Sequence, residues 1–151
     1  KYISDETYKR FMRYKPNIGD FLLTKDATPG IAYVVKEDVE GIISSGIVKL
    51  KIDEDQINKE YLALCINSII GKSQVERDVG GSVIIHWRPE QIKQLLIPIL
   101  PDHIQRQIAE LVQKSHQTRK KAKELLEIAK KAVEIAIEKS EEEALNFILS
   151  S

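Results

Sequence analysis

The side chains best suited to chemistry in this chain are polar and basic residues in its predicted loops. Arginine and lysine bind phosphate or guanine, glutamine pairs with adenine, and serine and threonine contact either phosphate or bases. The candidate DNA-contacting residues are Thr24, Lys25, Thr28, Ser73, Gln74, Arg77, Ser82, His86 and Arg88. Solvated loops have the same composition, so these residue types alone leave both a DNA-binding surface and an ordinary loop surface open.

The sequence contains no residue set with the spacing of a known catalytic or metal site. His86, His103 and His116 are scattered and form no metal-binding spacing with a carboxylate. Residues 44–46, Ser-Ser-Gly, suggest a nucleophile, but they lie in a β-rich run without a base, where a strand or a bulge is the alternative. No aspartate or glutamate has a lysine two residues after it, which disfavours the common metal-dependent nucleases. We predict a protein that is not an enzyme and that holds no metal or cofactor.

Composition indicates a folded protein without a membrane segment. The 151 residues are 42% hydrophobic and carry 23 basic and 23 acidic side chains, so net charge argues neither for nor against nucleic acid. Cys65, the only cysteine, lies in an apolar run and is predicted to be buried. No apolar run has transmembrane length and no signal peptide is recognised, which predicts a soluble, cytoplasmic protein.

The elements that must position the polar residues form an α+β pattern. The sequence predicts helices over residues 3–14, 59–70 and 89–95, strands over 21–24, 31–35 and 83–87, one or two strands within 42–52, and a polar loop over 72–82. Asn58 is expected to cap the second helix and Gly71 to end it. Pro98 and Pro101 mark the end of the α+β segment. The sequence therefore predicts a small mixed domain over 1–101 followed by one long helix over 102–149.

The long helix carries an apolar and small-residue seam that repeats in alternating steps of four and three. Its members are Ile104, Ile108, Leu111, Ser115, Thr118, Ala122, Leu125, Ala129, Ala132 and Ala136. Such a heptad repeat is typical of a coiled coil, and small side chains allow a partner helix to approach closely. The seam therefore predicts pairing with another helix, in either orientation; folding back on the small domain is the alternative.

Several short motifs follow one another in a recognisable order. Residues 19–30, Gly-Asp-Phe-Leu-Leu-Thr-Lys-Asp-Ala-Thr-Pro-Gly, come first. The others are residues 43–47 and 60–62, Gly80-Gly81-Ser82, Arg88-Pro89 with Ile92, residues 97–101, and Gln105 with Ile108. Together with the trailing helix, the set resembles the specificity subunits of type I restriction-modification systems over nearly the whole chain.

The resemblance implies a division of labour between subunits. A target recognition domain of this family reads one half of a split site in double-stranded DNA, and the long helices pair antiparallel as a spacer between the half-sites. The specificity subunit itself is not catalytic. It positions modification subunits, which carry S-adenosylmethionine, and restriction subunits join the full complex.

The chain departs from the family pattern in length. A full specificity subunit has two recognition domains and two spacer helices, whereas this sequence has one helix. Family recognition domains also begin earlier, so the chain resembles the C-terminal part of one recognition domain, incomplete at its N-terminus, with its helix. A homodimer through that helix is one expected arrangement. A truncated scaffold that pairs through the helix without binding DNA is the alternative function.

Overall fold

The computed structural model describes residues 2–80 and 85–151 and divides into two compact units. The first unit ends at Ala109 and contains a small sheet with helices; the second, Glu110–Ser151, is helical. The elements are α1 Asp5–Arg10, a 3₁₀ turn Met12–Tyr14, β1 Phe21–Thr24, β2 Ala32–Val34, β3 Ile47–Leu50, α2 Lys59–Asn67, α3 Ile69–Val79, α4 Pro89–Ile92, α5 Asp102–Glu138 and α6 Glu141–Ser150. The predicted α+β class is confirmed.

The sheet has three antiparallel strands with β1 in the centre, in the order β2-β1-β3. Phe21 lies opposite Val34 on one side and Leu50 on the other. Because side chains alternate along a strand, Phe21 and Leu23 point to one face, where both are buried. The prediction of β1 is confirmed at both ends, and β3 is the one strand that the described residues form within the predicted range 42–52.

The first helix is shorter than predicted. Ser4 caps α1 as expected, since its hydroxyl accepts a hydrogen bond from the backbone amide of Thr7. The α-helix ends at Arg10, and the chain continues as the 3₁₀ turn instead of remaining α-helical to Tyr14. The ends of helices often tighten in this way, because 3₁₀ hydrogen bonds satisfy carbonyls of the last turn.

Asn58 caps α2, as predicted, by accepting hydrogen bonds from two backbone amides of the first turn. The prediction that Gly71 ends this helix was wrong. The chain breaks earlier, at Ser68, whose extended backbone and side-chain hydrogen bond to the amide of Ile70 begin α3. The predicted polar loop over 72–82 was therefore also wrong, because residues 72–79 are helical.

Gly71 has a packing role in this helix pair. A Cβ atom on Gly71 would lie 2.1 Å from the carbonyl oxygen of Ile66, so only glycine allows α2 and α3 to turn so closely. One face of α3 then joins the core, where Val75 is buried and faces Gly30 of the loop after β1. The hydrophobic core of the first unit is formed by the sheet, the helices α2 and α3, and the segment that contains Trp87. Its fully or nearly buried members include Phe21, Leu23, Ala32, Val34, Leu62, Ile66, Val75 and Trp87. Cys65 is buried, as predicted.

The start of α5 belongs to the first unit. Gln105 is 3% exposed; its amide nitrogen donates to the carbonyl of Leu100, and its amide oxygen accepts from the backbone of Asn58. These bonds anchor the helix, and they explain why the compact unit extends beyond Pro101. No helix among the described residues is long and apolar enough to cross a bilayer.

The single helix expected over 102–149 is interrupted after Glu138. Ser140 has an extended backbone and caps α6 by accepting from the amide of Glu143. A serine followed by three glutamates is a strong helix start, since acidic side chains favour the N-terminal end of a helix. α6 folds back along the end of α5: Ala132 and Ala144 are buried, and the Lys131 ammonium lies 5.4 Å from the Phe147 ring centroid.

The heptad seam of α5 is covered near its two ends and exposed to solvent in its middle. Ile104 and Ile108 are half-buried in the first unit, and Ala132 is buried beneath α6. The middle of the seam is exposed, with Leu111 68% and Leu125 56% accessible. Ser115, Thr118, Ala122 and Ala129 are also exposed. The described chain therefore leaves the predicted pairing surface uncovered over its central turns.

Candidate nucleic-acid interface

A single buried tryptophan joins the segments that carry the candidate DNA-contacting residues. The Trp87 side chain is fully buried. Its backbone amide donates to the carbonyl of Lys25 at 2.7 Å, and its indole nitrogen donates to Asp78 at 3.3 Å. The loop after β1, the end of α3 and residues 85–88 therefore meet at one place in the first unit. Residues 83 and 84 of the predicted strand 83–87 lie outside the described residues; the described residues 85–87 form no continuous strand, and His86 makes one isolated antiparallel bridge with Asp26.

The loop after β1 is held in shape by Thr24. Its hydroxyl donates to the carbonyl of Thr28 at 2.6 Å and accepts from the amide of Ile31 at 3.0 Å. Two residues in this loop have left-handed backbones, Ala27 at φ 61° and Gly30 at φ 84°. The Thr24 hydroxyl is therefore used within the loop, whereas Thr28 is exposed at its surface.

Lys25 and His86 meet at the carboxylate of Asp26. The Lys25 ammonium lies 3.1 Å from one carboxylate oxygen, and His86 Nδ1 contacts the other. Burial would raise the pKa of Asp26, but the hydrogen bonds from Lys25 and His86 outweigh it and hold that pKa below its usual value. The Lys25 side chain is only 16% exposed. Its charge is thus largely balanced by Asp26, while His86 remains about half exposed.

Arg77 and Arg88 are connected through Asp78 and Gln91. Two guanidinium nitrogens of Arg77 donate to one oxygen of Asp78, at 3.0 and 2.8 Å, and the Arg77 side chain is 63% exposed. The backbone amide of Arg88 donates to the Gln91 amide oxygen, and the Gln91 amide nitrogen donates to the carbonyl of Asp78. Both arginines are therefore attached to the structure around Trp87, and both still reach solvent.

Gln74 is occupied outside this cluster, whereas Ser73 lies beside Arg77. The Gln74 side-chain amide bonds both backbone groups of Leu96, donating to its carbonyl and accepting from its amide, each at 2.9 Å. A glutamine reads adenine with both its amide oxygen and its amide nitrogen, and in Gln74 both of these atoms are already bonded to Leu96. Ser73 is exposed one turn before Arg77 on α3 and so shares its face. Ser82 lies outside the described residues.

The structure thus brings together Lys25, His86, Arg77 and Arg88 around Trp87, with Thr28 at the edge of the same loop. Sequence reasoning missed the partners Asp26 and Asp78. The only signal for them was their position next to a predicted contact residue, Lys25 and Arg77. Among the described residues no group of three or more His, Cys, Asp or Glu side chains is placed to hold a metal ion.

The first unit is thus a small α+β fold in which polar side chains gather around one buried tryptophan, and the long helix α5 begins within it. Comparison with protein-family models identifies the class of protein: the model described as Type I restriction modification DNA specificity domain matches residues 3–131. Because the match spans most of the chain, this chain belongs to the type I restriction modification DNA specificity domain family. No curated protein matches the chain. Membership carries a role in DNA recognition within type I restriction-modification systems.

Proposed function

We propose that this chain is a non-catalytic module that reads one half of a split DNA site and holds the modification subunits in position. The family match over residues 3–131 carries this proposal. The gathering of Lys25, Arg77, His86 and Arg88 on segments joined by Trp87 supports it, because specific readout needs polar side chains on a rigid frame. S-adenosylmethionine is then expected on the modification subunit.

The readout surface in this proposal is the exposed part of that cluster. Arg77 and Arg88 supply cationic donors for guanine or phosphate, and Thr28 and Ser73 supply hydroxyls beside them. The Asp26 carboxylate accepts hydrogen bonds and can receive the amino group of cytosine if His86 turns away. Gln74 supports the surface through Leu96 instead of contacting a base.

The spacer in this proposal is α5, pairing antiparallel with a second helix through its open seam. Exposed small residues such as Ala122 and Ala129, alternating with Leu111 and Leu125, suit close packing. Charge favours the antiparallel direction: within α5, residues 102–131 hold eight basic and four acidic side chains, whereas residues 132–138 hold no basic and two acidic ones. In an antiparallel pair the acidic end of each helix lies nearer the basic part of its partner.

The experiment that tests recognition is selection of duplexes from a random-sequence pool by the full chain, followed by affinity measurements on the selected sequence. Arg77→Ala and Arg88→Ala should each weaken binding by about 1–3 kcal/mol if they contact bases. Lys121→Ala, on an exposed face of α5, is the matched control. Selection of no sequence, or equal binding by all three variants, would refute the proposal.

The experiment that tests the spacer is sedimentation of Ala122→Glu. This change places a charge in the exposed seam and should abolish helix pairing while leaving the first unit folded, since Ala122 is exposed and belongs to the second unit. Glu124→Ala, elsewhere on α5, is the control. A wild-type chain that sediments as a monomer, alone and with modification subunits, would refute the spacer.

A scaffold that pairs without binding DNA is the second candidate. The observation that favours it is charge balance, because Asp26 and Asp78 occupy the cations of Lys25 and Arg77. Phosphate would have to displace these carboxylates. A chain that pairs through α5 and binds modification subunits, yet binds no duplex even at low salt, would establish this alternative.

A further inference from the structure

The end of α1 and the 3₁₀ turn after it carry three cations, Lys9, Arg10 and Arg13. All three are exposed, and none has a carboxylate partner among the described residues. We propose that this cationic patch, defined as Lys9, Arg10 and Arg13, binds the DNA phosphate backbone as an extension of the candidate interface. The inference rests on the proposed DNA-reading function and names where its sequence-independent affinity comes from.

Aromatic rings hold the two arginines. The Arg10 guanidinium carbon lies 5.4 Å from the Phe11 ring centroid, and that of Arg13 lies 4.8 Å from the Tyr14 centroid. The two rings are themselves 6.2 Å apart. A cation–π contact limits the motion of a guanidinium group without neutralising its charge. Both arginines therefore remain available to an anion, and little side-chain entropy is lost when they bind one.

In the readout cluster, by contrast, two of the cations are ion-paired with carboxylates. Lys25 and Arg77 are each bound to a neighbouring aspartate, at 3.1 and 2.8 Å. A phosphate that approaches them must compete with a fixed carboxylate, whereas one that approaches Arg10 or Arg13 displaces only solvent and counterions. Phosphate contacts position a protein on DNA and base contacts specify the sequence. The two sets of cations suit these separate tasks.

Residues 43–46 lie between the segment that carries the cationic patch and the loop that carries Lys25. The carbonyl of Tyr14 accepts from the amide of Ile43 at 3.0 Å, and the carbonyl of Gly46 accepts from the amide of Lys25 at 2.8 Å. Residues 43–46 therefore connect the 3₁₀ turn to the loop that carries Lys25. An open cleft of about 440 Å³ lies between α1 with its 3₁₀ turn and residues 42–47. Its lining includes Phe11, Tyr14, Ile42, Ile43, Ser44 and Ser45.

The acidic side chains of this region lie one helical turn before the cationic patch or are already ion-paired. Asp5 and Glu6 occupy the first turn of α1, where acidic side chains favour the helix dipole. Asp38 is bound to Lys15 at 3.0 Å. The net positive charge is therefore concentrated where the helix ends and the 3₁₀ turn begins. A run of unpaired cations beside a hydrogen-bonding surface is the electrostatic footprint of a nucleic-acid backbone.

The test compares the salt dependence of duplex binding by the full chain and its variants. A nonspecific duplex is titrated by fluorescence anisotropy over a range of salt concentrations. Arg10→Gln/Arg13→Gln should reduce the slope of log affinity against log salt by about 2, since each phosphate contact contributes about 0.9. Affinity near 0.1 M salt should fall on the order of tenfold or more. Arg10→Lys/Arg13→Lys keeps the charges and should restore the wild-type slope.

Two further variants serve as a charge-matched control and as an independent test of the cationic patch. Lys120→Gln/Lys121→Gln removes the same charge from exposed positions on α5 and should leave the slope unchanged. Lys9→Gln alters a side chain with no partner among the described residues, so it should fold normally and reduce the slope by about 1. Circular dichroism checks that each variant is folded.

The outcomes separate this inference from the proposed function. If the wild-type chain binds the duplex and the salt slope is unchanged in both Arg10→Gln/Arg13→Gln and Lys9→Gln, the cationic patch does not bind phosphate. The proposed DNA-reading function would then still stand. Unchanged DNA binding with lost affinity for the modification subunits would assign the cationic patch to a protein partner and overturn the inference. A wild-type chain that binds no duplex at any salt concentration would refute the proposed function and this inference together.

Discussion

Replacing Gly30 with alanine should separate two segments that carry the candidate interface. Gly30 has φ 84°, and a Cβ atom there would lie 2.7 Å from Val75 Cγ2 and 3.2 Å from Val75 Cγ1. The left-handed backbone disfavours alanine by about 1–2 kcal/mol. Overpacking against a buried side chain adds about 1–3 kcal/mol. Gly30→Ala should therefore lower the free energy of unfolding of the first unit by about 2–5 kcal/mol.

The assay is urea unfolding followed by tryptophan fluorescence. Trp87 is the only tryptophan and is fully buried in the first unit, so its emission reports that unit alone. Gly41→Ala is the matched control: the nearest atom to its added Cβ is 3.9 Å away and its φ is not positive, so its effect should stay within about 1 kcal/mol.

A double-mutant cycle with Val75→Ala isolates the clash. Val75→Ala removes both methyl groups that the new Cβ would meet, and the double variant should recover about 1–3 kcal/mol relative to the sum of the single changes. The backbone penalty should remain in the double variant. Equal stability of Gly30→Ala and Gly41→Ala, or strict additivity in the cycle, would refute the account of how this loop packs on α3.

Two other predictions concern the polar groups of the interface. In the folded chain the hydrogen bonds from Lys25 and His86 hold the pKa of Asp26 below its unfolded value. The stability that Asp26 contributes is therefore present above the unfolded pKa of about 4 and is lost as pH falls through the folded pKa. Wild-type and Asp26→Asn chains should differ in unfolding free energy at neutral pH and converge in acid; a constant difference would contradict this linkage. Gln74→Ala should lower stability by only about 1 kcal/mol, because Leu96 is exposed and its two backbone groups exchange their bonds to Gln74 for bonds to water. Under folding conditions its affinity for a selected duplex should match that of wild type; selective loss of DNA binding would instead make Gln74 a base contact.

Local signals were sufficient for several elements. The alternation of residues 21–24 predicted β1 at both ends, and Asn58 predicted the cap of α2 from its side chain alone. Ser4 likewise capped α1. In each case the stabilising contact lies within a few residues along the chain, or the periodicity of one strand decides which face is buried.

Two helix boundaries were predicted wrongly for different reasons. Gly71 has the residue type that usually ends a helix, yet it lies inside α3 because the backbone of Ile66 packs against it. That contact between α2 and α3 is not encoded in the spacing of one segment. The heptad seam ends at Ala136, and the boundary after Glu138 has a local signal, Ser140 followed by three glutamates, which the prediction of one helix over 102–149 passed over.

By itself, the sequence determined the α+β class, the polar residue types of the candidate interface and the heptad seam of α5. These depend on composition and on periodicity, which any reader of the chain can count. Only the tertiary structure decided which segments meet around Trp87 and share two carboxylates. His86 reaches Asp26 across 60 positions, and the Trp87 indole reaches Asp78 across nine. The physical reason is that a hydrogen bond depends on distance in space, and chain folding sets that distance for residues far apart in sequence.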